Sequence, residues 1–128
     1  EMRMLDVHLG NRPPVDDLEH AIDVETFLAW QDTVPLVYVS DVIKRYVVDL
    51  ANAIRADARA LAPPSPRATL MLVRVAQARA LSSGRDHLLP DDVREVAPDV
   101  LAHRLLLAGD ATAHTYVRDM MATIDVHI

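Results

Sequence analysis

The sequence predicts an all-α fold, a compact helical bundle built as one domain, on three observations. Ala, Leu and Val supply most of the 51% hydrophobic residues while aromatics make up only 4%, a balance that favours helices over an aromatic-rich sheet. Apolar residues recur at three- and four-residue steps through the middle of the chain, which is the spacing of one helix face. Serine, proline and glycine interrupt those runs where helix ends need them. With 128 residues, one domain can bury most of its apolar surface without disulfides or metals.

Residues 1–9 alternate as a strand does, with Met2, Met4, Val7 and Leu9 among polar neighbours, and they end at the turn signal Gly10-Asn11-Arg12-Pro13-Pro14. A lone strand leaves its backbone groups unpaired, so its sheet is expected to lie upstream in a larger protein. Val15 to Ala21 predicts a first helix, because Asp16, Asp17 and Glu19 suit the positive end of a helix dipole. This acidic helix is read as a solvated face, and a short second helix follows near Val24 to Val34. Ser40 is an N-cap for the longest helix, which carries Ile43, Tyr46, Val47, Leu50, Ile54 and Leu61 and is ended by Pro63-Pro64.

Ser65 caps the next helix with Pro66 at its first position, Leu70, Val73, Ala76 and Leu81 mark its inner face, and Gly84 closes it. Pro90 opens another with Asp91 and Asp92 in its first turn; Leu89 has no side-chain acceptor to cap it, so this start is expected to fray. Pro98 starts or kinks a further turn through Leu101, and Arg104 to Leu107 is apolar enough to pair with His87 to Leu89 in a small hairpin. From Thr112 to Ile124, Val117, Met120, Met121 and Ile124 share one side of an amphipathic helix that can cover the bundle or a partner.

Several function classes are disfavoured. A net charge of −6 works against binding a phosphate backbone. No apolar run approaches the ~20 residues of a membrane span, and no basic segment with an apolar core opens the chain. The absence of cysteine rules out disulfides and thiolate metal sites and agrees with a reducing, cytoplasmic setting. Gly10, Gly84 and Gly109 are too scattered to form a phosphate-cradling loop, and the six histidines are spread singly, so no metal site is expected. Asp91 and Asp92 are read as dipole compensation rather than a catalytic pair. Arg85-Asp86 is read as a turn, and Phe27, Trp30, Tyr38 and Tyr46 as packing residues.

The segment with chemistry to offer is Ser65-Pro66-Arg67-Ala68. A serine cap and a proline at the first position place Arg67 second in its helix, beside the free amides of a helix start. Guanidinium and helix dipole then act on one anion. Arg74 lies two turns further along the same face, where it can extend the patch or pair with an acidic neighbour. Taken alone, such an arginine is more often a surface or ion-pair residue than a phosphate ligand.

Its context is more specific. Val39-Ser40-Asp41, Tyr46-Val47-Val48-Asp49-Leu50, Ser65-Pro66-Arg67-Ala68, Ala78-Arg79-Ala80-Leu81, Gly84-Arg85-Asp86, Pro90-Asp91-Asp92-Val93, Ala97-Pro98-Asp99-Val100-Leu101 and His103-Arg104-Leu105 occur in that order. From about Arg3 to Leu107, and more loosely to the end, the chain resembles the C-terminal lid of MoxR-family AAA+ ATPases. The resemblance implies an AAA+ lid fold over residues 15–128, with residues 1–14 as the last strand and linker of an upstream ATPase core. It implies that Arg67 is the catalytic sensor-2 arginine, reaching the terminal phosphates within a nucleotide-binding set of Ser65, Pro66, Arg67, Ala68 and Arg74. ATP and Mg2+ are implied for the intact protein, with none bound and none hydrolysed by this fragment alone.

Further implications are a homohexamer, partners with von Willebrand A domains, and chaperone-like remodelling or cofactor insertion in client proteins. The chain departs from the family pattern at Pro63-Pro64, where a Gly-Ala pair is usual, at Leu89 in place of a Thr cap, and at Trp30-Gln31-Asp32 and Val34-Pro35. These put the geometry of the lid in doubt more than the role of Arg67. The alternative is a helical protein-interaction module without a nucleotide role, using Met120 and Met121 as an adaptable apolar face. The related magnesium-chelatase motor subunit ranks below both.

Overall fold

Four helix starts in the computed structural model, which describes Met2 and residues 19–125, are set by one local device. A side-chain oxygen accepts the backbone N–H three residues on: Asp23 from Thr26 at 2.7 Å, Ser40 from Ile43 at 3.4 Å, Ser65 from Ala68 at 3.4 Å and Thr112 from Thr115 at 3.3 Å. The helices that follow are α1 (Val24–Thr33), α2 (Asp41–Ala56), α3 (Pro66–Ser82) and α5 (Ala113–Ala122). Between α3 and α5 lies α4 (Pro90–Ala102), and a single 3-10 turn, Val34–Leu36, follows α1. Two short strands, β1 (Ala60–Ala62) and β2 (Leu106–Leu107), pair antiparallel with an irregular register. The described residues are thus mostly helical, with one small sheet, as the composition predicts.

The chain divides into two compact units, residues 1–30 and 31–128. In the first, the strand expected over residues 1–9 and the turn at 10–14 lie outside the described residues, as does most of the helix expected over Val15–Ala21. The end of that predicted helix is described and is not helical: Glu19 and His20 are irregular and Ala21 is in a bend. Asp23, not an acidic run upstream, opens the first described helix here, and the Thr26 N–H it binds holds its carboxyl below the usual range. Val24, Phe27, Leu28 and Trp30 are exposed, so the packing role predicted for Phe27 and Trp30 is not found.

The second unit holds the core. Ile43, Tyr46, Val47, Leu50 and Ile54 of α2 meet Ala68, Leu72, Ala76 and Ala80 of α3, Val93, Ala97 and Leu101 of α4, and Tyr116, Val117, Met120 and Met121 of α5. The most extensive packing is between α3 and α4. Alanines at 76, 80 and 97 let those two helices approach closely. The inner face of α3 is therefore a line of residues four apart, Ala68, Leu72, Ala76 and Ala80, and Leu70, predicted to face inward, is 61% exposed. Tyr46 is buried as expected, whereas Tyr38 is exposed. The predicted apolar face of α5 covers the bundle itself, which removes Met120 and Met121 as an open partner surface.

Two helix ends differ from expectation for visible reasons. α2 stops at Ala56, seven residues before Pro63, and Leu61 lies exposed in β1. The Asp57 carboxylate accepts the Arg59 N–H at 2.8 Å and the Arg59 guanidinium at 2.6 Å, turning the chain out of the helix. The same contacts, Arg59 first, hold the Asp57 carboxyl down to about 2. Arg59 also lies 5.0 Å over the Tyr116 ring, and its carbonyl accepts the Ala108 N–H at 2.9 Å. β2 consequently pairs with β1, not with His87 to Leu89; His87 instead bridges Tyr38.

The start of α4 is firm where fraying was expected. Asp92 accepts the Leu89 N–H at 2.9 Å and both terminal nitrogens of Arg85 at 2.6 and 2.5 Å, so the helix is capped from inside its own first turn. Arg85 holds this carboxyl below the usual range against the opposing effect of burial. Asp92 is 4% exposed, and its role goes beyond the dipole compensation read from sequence. Asp91 is exposed and pairs with Arg94 at 3.0 Å. Pro98 sits inside α4 and the helix continues through it to Ala102. α3 ends as predicted: Gly84 adopts φ +74°, its N–H donates to the Leu81 carbonyl at 2.8 Å, and the Arg85 N–H donates to that of Ala80 at 3.0 Å.

Candidate functional site

The start of α3 carries the candidate site, and its geometry follows from three residue types. Ser65 turns its hydroxyl onto the Ala68 N–H, Pro66 has no N–H to leave unpaired, and Ala68 is buried beneath the first turn. Arg67, between them, faces solvent, and neither its guanidinium nor its N–H has a partner among the described residues. The site is thus an unpartnered guanidinium and one free backbone N–H, that of Arg67 itself, at the positive end of a helix of 17 residues.

Arg74 is also exposed and stands about 10 Å from Arg67 along the helix axis, close to the same angular position. It does not pair with an acid: its Nη1 donates to Gln77 Oε1 at 3.1 Å, and Gln77 Nε2 donates to the buried Val37 carbonyl at 2.7 Å. α3 contains Arg67, Arg74 and Arg79 and no acidic residue; Arg79 is paired with Glu95 at 2.6 Å, which leaves Arg67 and Arg74 as the arginines of this helix without an acidic partner among the described residues. That local sign suits an anion. Ser65, Pro66, Arg67 and Ala68 are brought together at the helix start, and Arg74 is two turns away.

Sequence reasoning assigned nothing to Arg55, which the fold brings to this segment. From the last turn of α2, its Nε donates to the Pro64 carbonyl at 3.1 Å and its Nη2 to Thr69 Oγ1 at 3.2 Å, while Nη1 is held by Asn52 Oδ1 at 3.1 Å. The cross-chain partners lie 9 and 14 residues away, beyond the reach of any helix-spacing rule; only Asn52, three residues back, is local. Beside Arg55 an apolar groove of about 340 Å3 runs between α2 and α3, floored by Val47, Val48, Ala51, Leu70 and Val73 and reaching Pro66. Among the described residues no cluster of three or more His, Cys, Asp or Glu could hold a metal ion, and no helix is long and apolar enough to cross a membrane.

Residues 51–121 match the model of the AAA lid domain family. The uncharacterized protein YeaC of Bacillus subtilis is 34% identical over 120 residues, which cover 90% of this chain and 38% of that protein. Chaperone MoxR1 of Mycobacterium tuberculosis is 55% identical over 49 residues, covering 38% of this chain and 13% of its own. The crystal structure of a Cytophaga hutchinsonii protein, provisionally designated an ATPase, shares the fold with a TM-score of 0.82 at 22% identity, over 99% of this chain and 42% of that one. The chain spans about two fifths of the length of YeaC and of the Cytophaga protein. With the family model matching more than half of its residues, this chain belongs to the AAA lid domain family and has MoxR proteins among its relatives.

Proposed function

We propose that this chain is the lid of a MoxR-type AAA+ ATPase, closing over ATP and coupling its hydrolysis to chaperone-like remodelling or cofactor insertion in client proteins. The observation that carries the reading is Arg67: an exposed guanidinium without an acidic partner among the described residues, at the second position of a capped helix start where its own N–H is also free. Such a group is suited to terminal phosphates, where charge redistributes as the phosphoryl group transfers. Arg74 extends positive charge along the face, and the groove that begins at Pro66 offers an apolar surface to the nucleotide base. In this proposal the P-loop and the metal ligands belong to an upstream core.

On this reading residues 1–14 are the last strand and linker of that core, the intact protein is a cytoplasmic homohexamer, and von Willebrand A domain proteins are its partners. The fragment alone is folded and helical but does not hydrolyse ATP. The test is steady-state ATP hydrolysis by the full-length protein, wild type beside Arg67→Ala, with nucleotide binding and ring assembly followed in parallel. A tenfold or greater loss of turnover in an assembled ring is expected, about 1.4 kcal/mol of transition-state stabilisation. Unchanged turnover returns Arg67 to ordinary surface chemistry and removes the support for a nucleotide role.

A further inference from the structure

We infer that Arg55 is the positioning residue for Arg67, holding the start of α3 at the place where its guanidinium meets the phosphates. The inference rests on the nucleotide role proposed for Arg67 and adds a second residue to it. Arg55 reaches the peptide on both sides of the candidate site: Pro64 immediately precedes the Ser65 cap, and Thr69 lies two residues beyond Arg67. Its fork therefore brackets Ser65-Pro66-Arg67-Ala68 from α2, and Asn52 fixes the fork in turn.

Local packing leaves the segment in need of such a brace. Pro64 before the cap and Ala68 in the first turn are buried, whereas Ser65, Pro66 and Arg67 between them are exposed, so the residues that carry the guanidinium have little packing of their own. α3 packs most extensively on α4. Among the described residues, the Arg55 bonds are the side-chain hydrogen bonds that tie α2 to the approach and first turn of α3. Because catalysis depends on donor placement at the sub-ångström level, a relaxed helix start weakens turnover without removing any group that touches substrate. Lysine cannot replace this fork, since a single ammonium on a flexible stem does not span a carbonyl and a hydroxyl in fixed geometry.

The test is ATP turnover by the full-length protein for Arg55→Ala, Arg55→Lys, Arg67→Ala and the double variant Arg55→Ala/Arg67→Ala, with helicity and ring assembly checked for each. Positioning predicts that Arg55→Ala lowers kcat about fivefold or more and that Arg55→Lys does not restore it. It also predicts that Arg55→Ala adds less than about twofold once Arg67 is already alanine. A purely structural role gives losses that multiply in the double variant, and that result overturns the inference, as does wild-type turnover in Arg55→Ala. If Arg67→Ala alone has no effect, the proposed nucleotide role fails and this inference falls with it; a loss for Arg67→Ala with none for Arg55→Ala sinks this inference only. Should Arg55→Ala fail to fold, Thr69→Val, which deletes one acceptor and keeps the shape, takes its place in the same cycle and is held to the same non-additivity.

Discussion

Replacing Asp92 with alanine would remove the carboxylate that organises the junction between α3 and α4. Three donors lose an acceptor at once, both terminal nitrogens of Arg85 and the Leu89 N–H, and Arg85 Nη1 keeps only the His87 carbonyl at 3.4 Å. Breaking a buried ion pair by deleting one partner costs about 3–5 kcal/mol. The Arg85 side chain is 26% exposed and can recover some water, while the Asp92 side chain is 5% exposed, so the expected loss is roughly 2–3 kcal/mol. At about 2.1 cal/mol/K of unfolding entropy per residue, that lowers Tm by about 7–11 °C for a chain of this size.

The measurement is thermal and urea unfolding of the isolated chain followed by circular dichroism, across pH. Arg85 holds the folded-state carboxyl of Asp92 below its ordinary value of 3.8, so the stabilisation is fully present above that value and is lost as pH falls through the lowered one. The gap between wild type and Asp92→Ala should stay constant from neutral pH down to about pH 5 and close in stronger acid. A Tm change under about 2 °C, or a gap that widens on acidification, would refute the reasoning.

Two further substitutions test the helix face and the helix end. Leu72→Ala should cost about 2–5 kcal/mol while Leu70→Ala costs under about 0.5 kcal/mol, because the first side chain is buried at 1% exposure and the second faces solvent; equal effects in urea unfolding would place the inner face of α3 elsewhere. Gly84→Ala should lose about 1–2 kcal/mol through backbone strain alone, since φ is +74° and an added Cβ meets nothing within 4 Å; a neutral result in the same assay would show that this turn relaxes.

What was legible in the sequence is what is local. Ser40 and Ser65 sit at their helix starts and reach donors three residues away, so a serine before an apolar run carried the boundary by itself. Gly84 ended α3 for an equally local reason. What escaped depends on residues that meet across the fold. Leu61 continued the apolar spacing of α2, but Asp57 and Arg59 had already turned the chain, and their anchor, Tyr116, is more than 50 residues on. Leu70 looked like an inner residue because leucine is apolar; the close approach of α3 to α4 favoured the alanine line instead.

At the candidate site the same division holds. The placement of Arg67 at the second position of α3 followed from serine, proline and spacing, whereas Arg55 has no motif and is recognisable only once Pro64 and Thr69 stand beside it. Asp92 was visible as a helix-start acid, but its buried partnership with Arg85 required the turn at Gly84 to bring the arginine back.

The pairing of β1 with β2 has a consequence for the order of events during synthesis. The residues leading into Ser65 leave the ribosome before their partners do: Ala60 and Ala62 find theirs at Leu107 and Leu106, and Arg59 finds Ala108, more than 40 residues later. A nascent chain that has completed α2 and α3 still lacks the strand that holds their connection. The approach to Arg67 is therefore completed by the last quarter of the chain, and a message truncated before Leu106 would encode every residue of the candidate site without the clamp that sets its entrance.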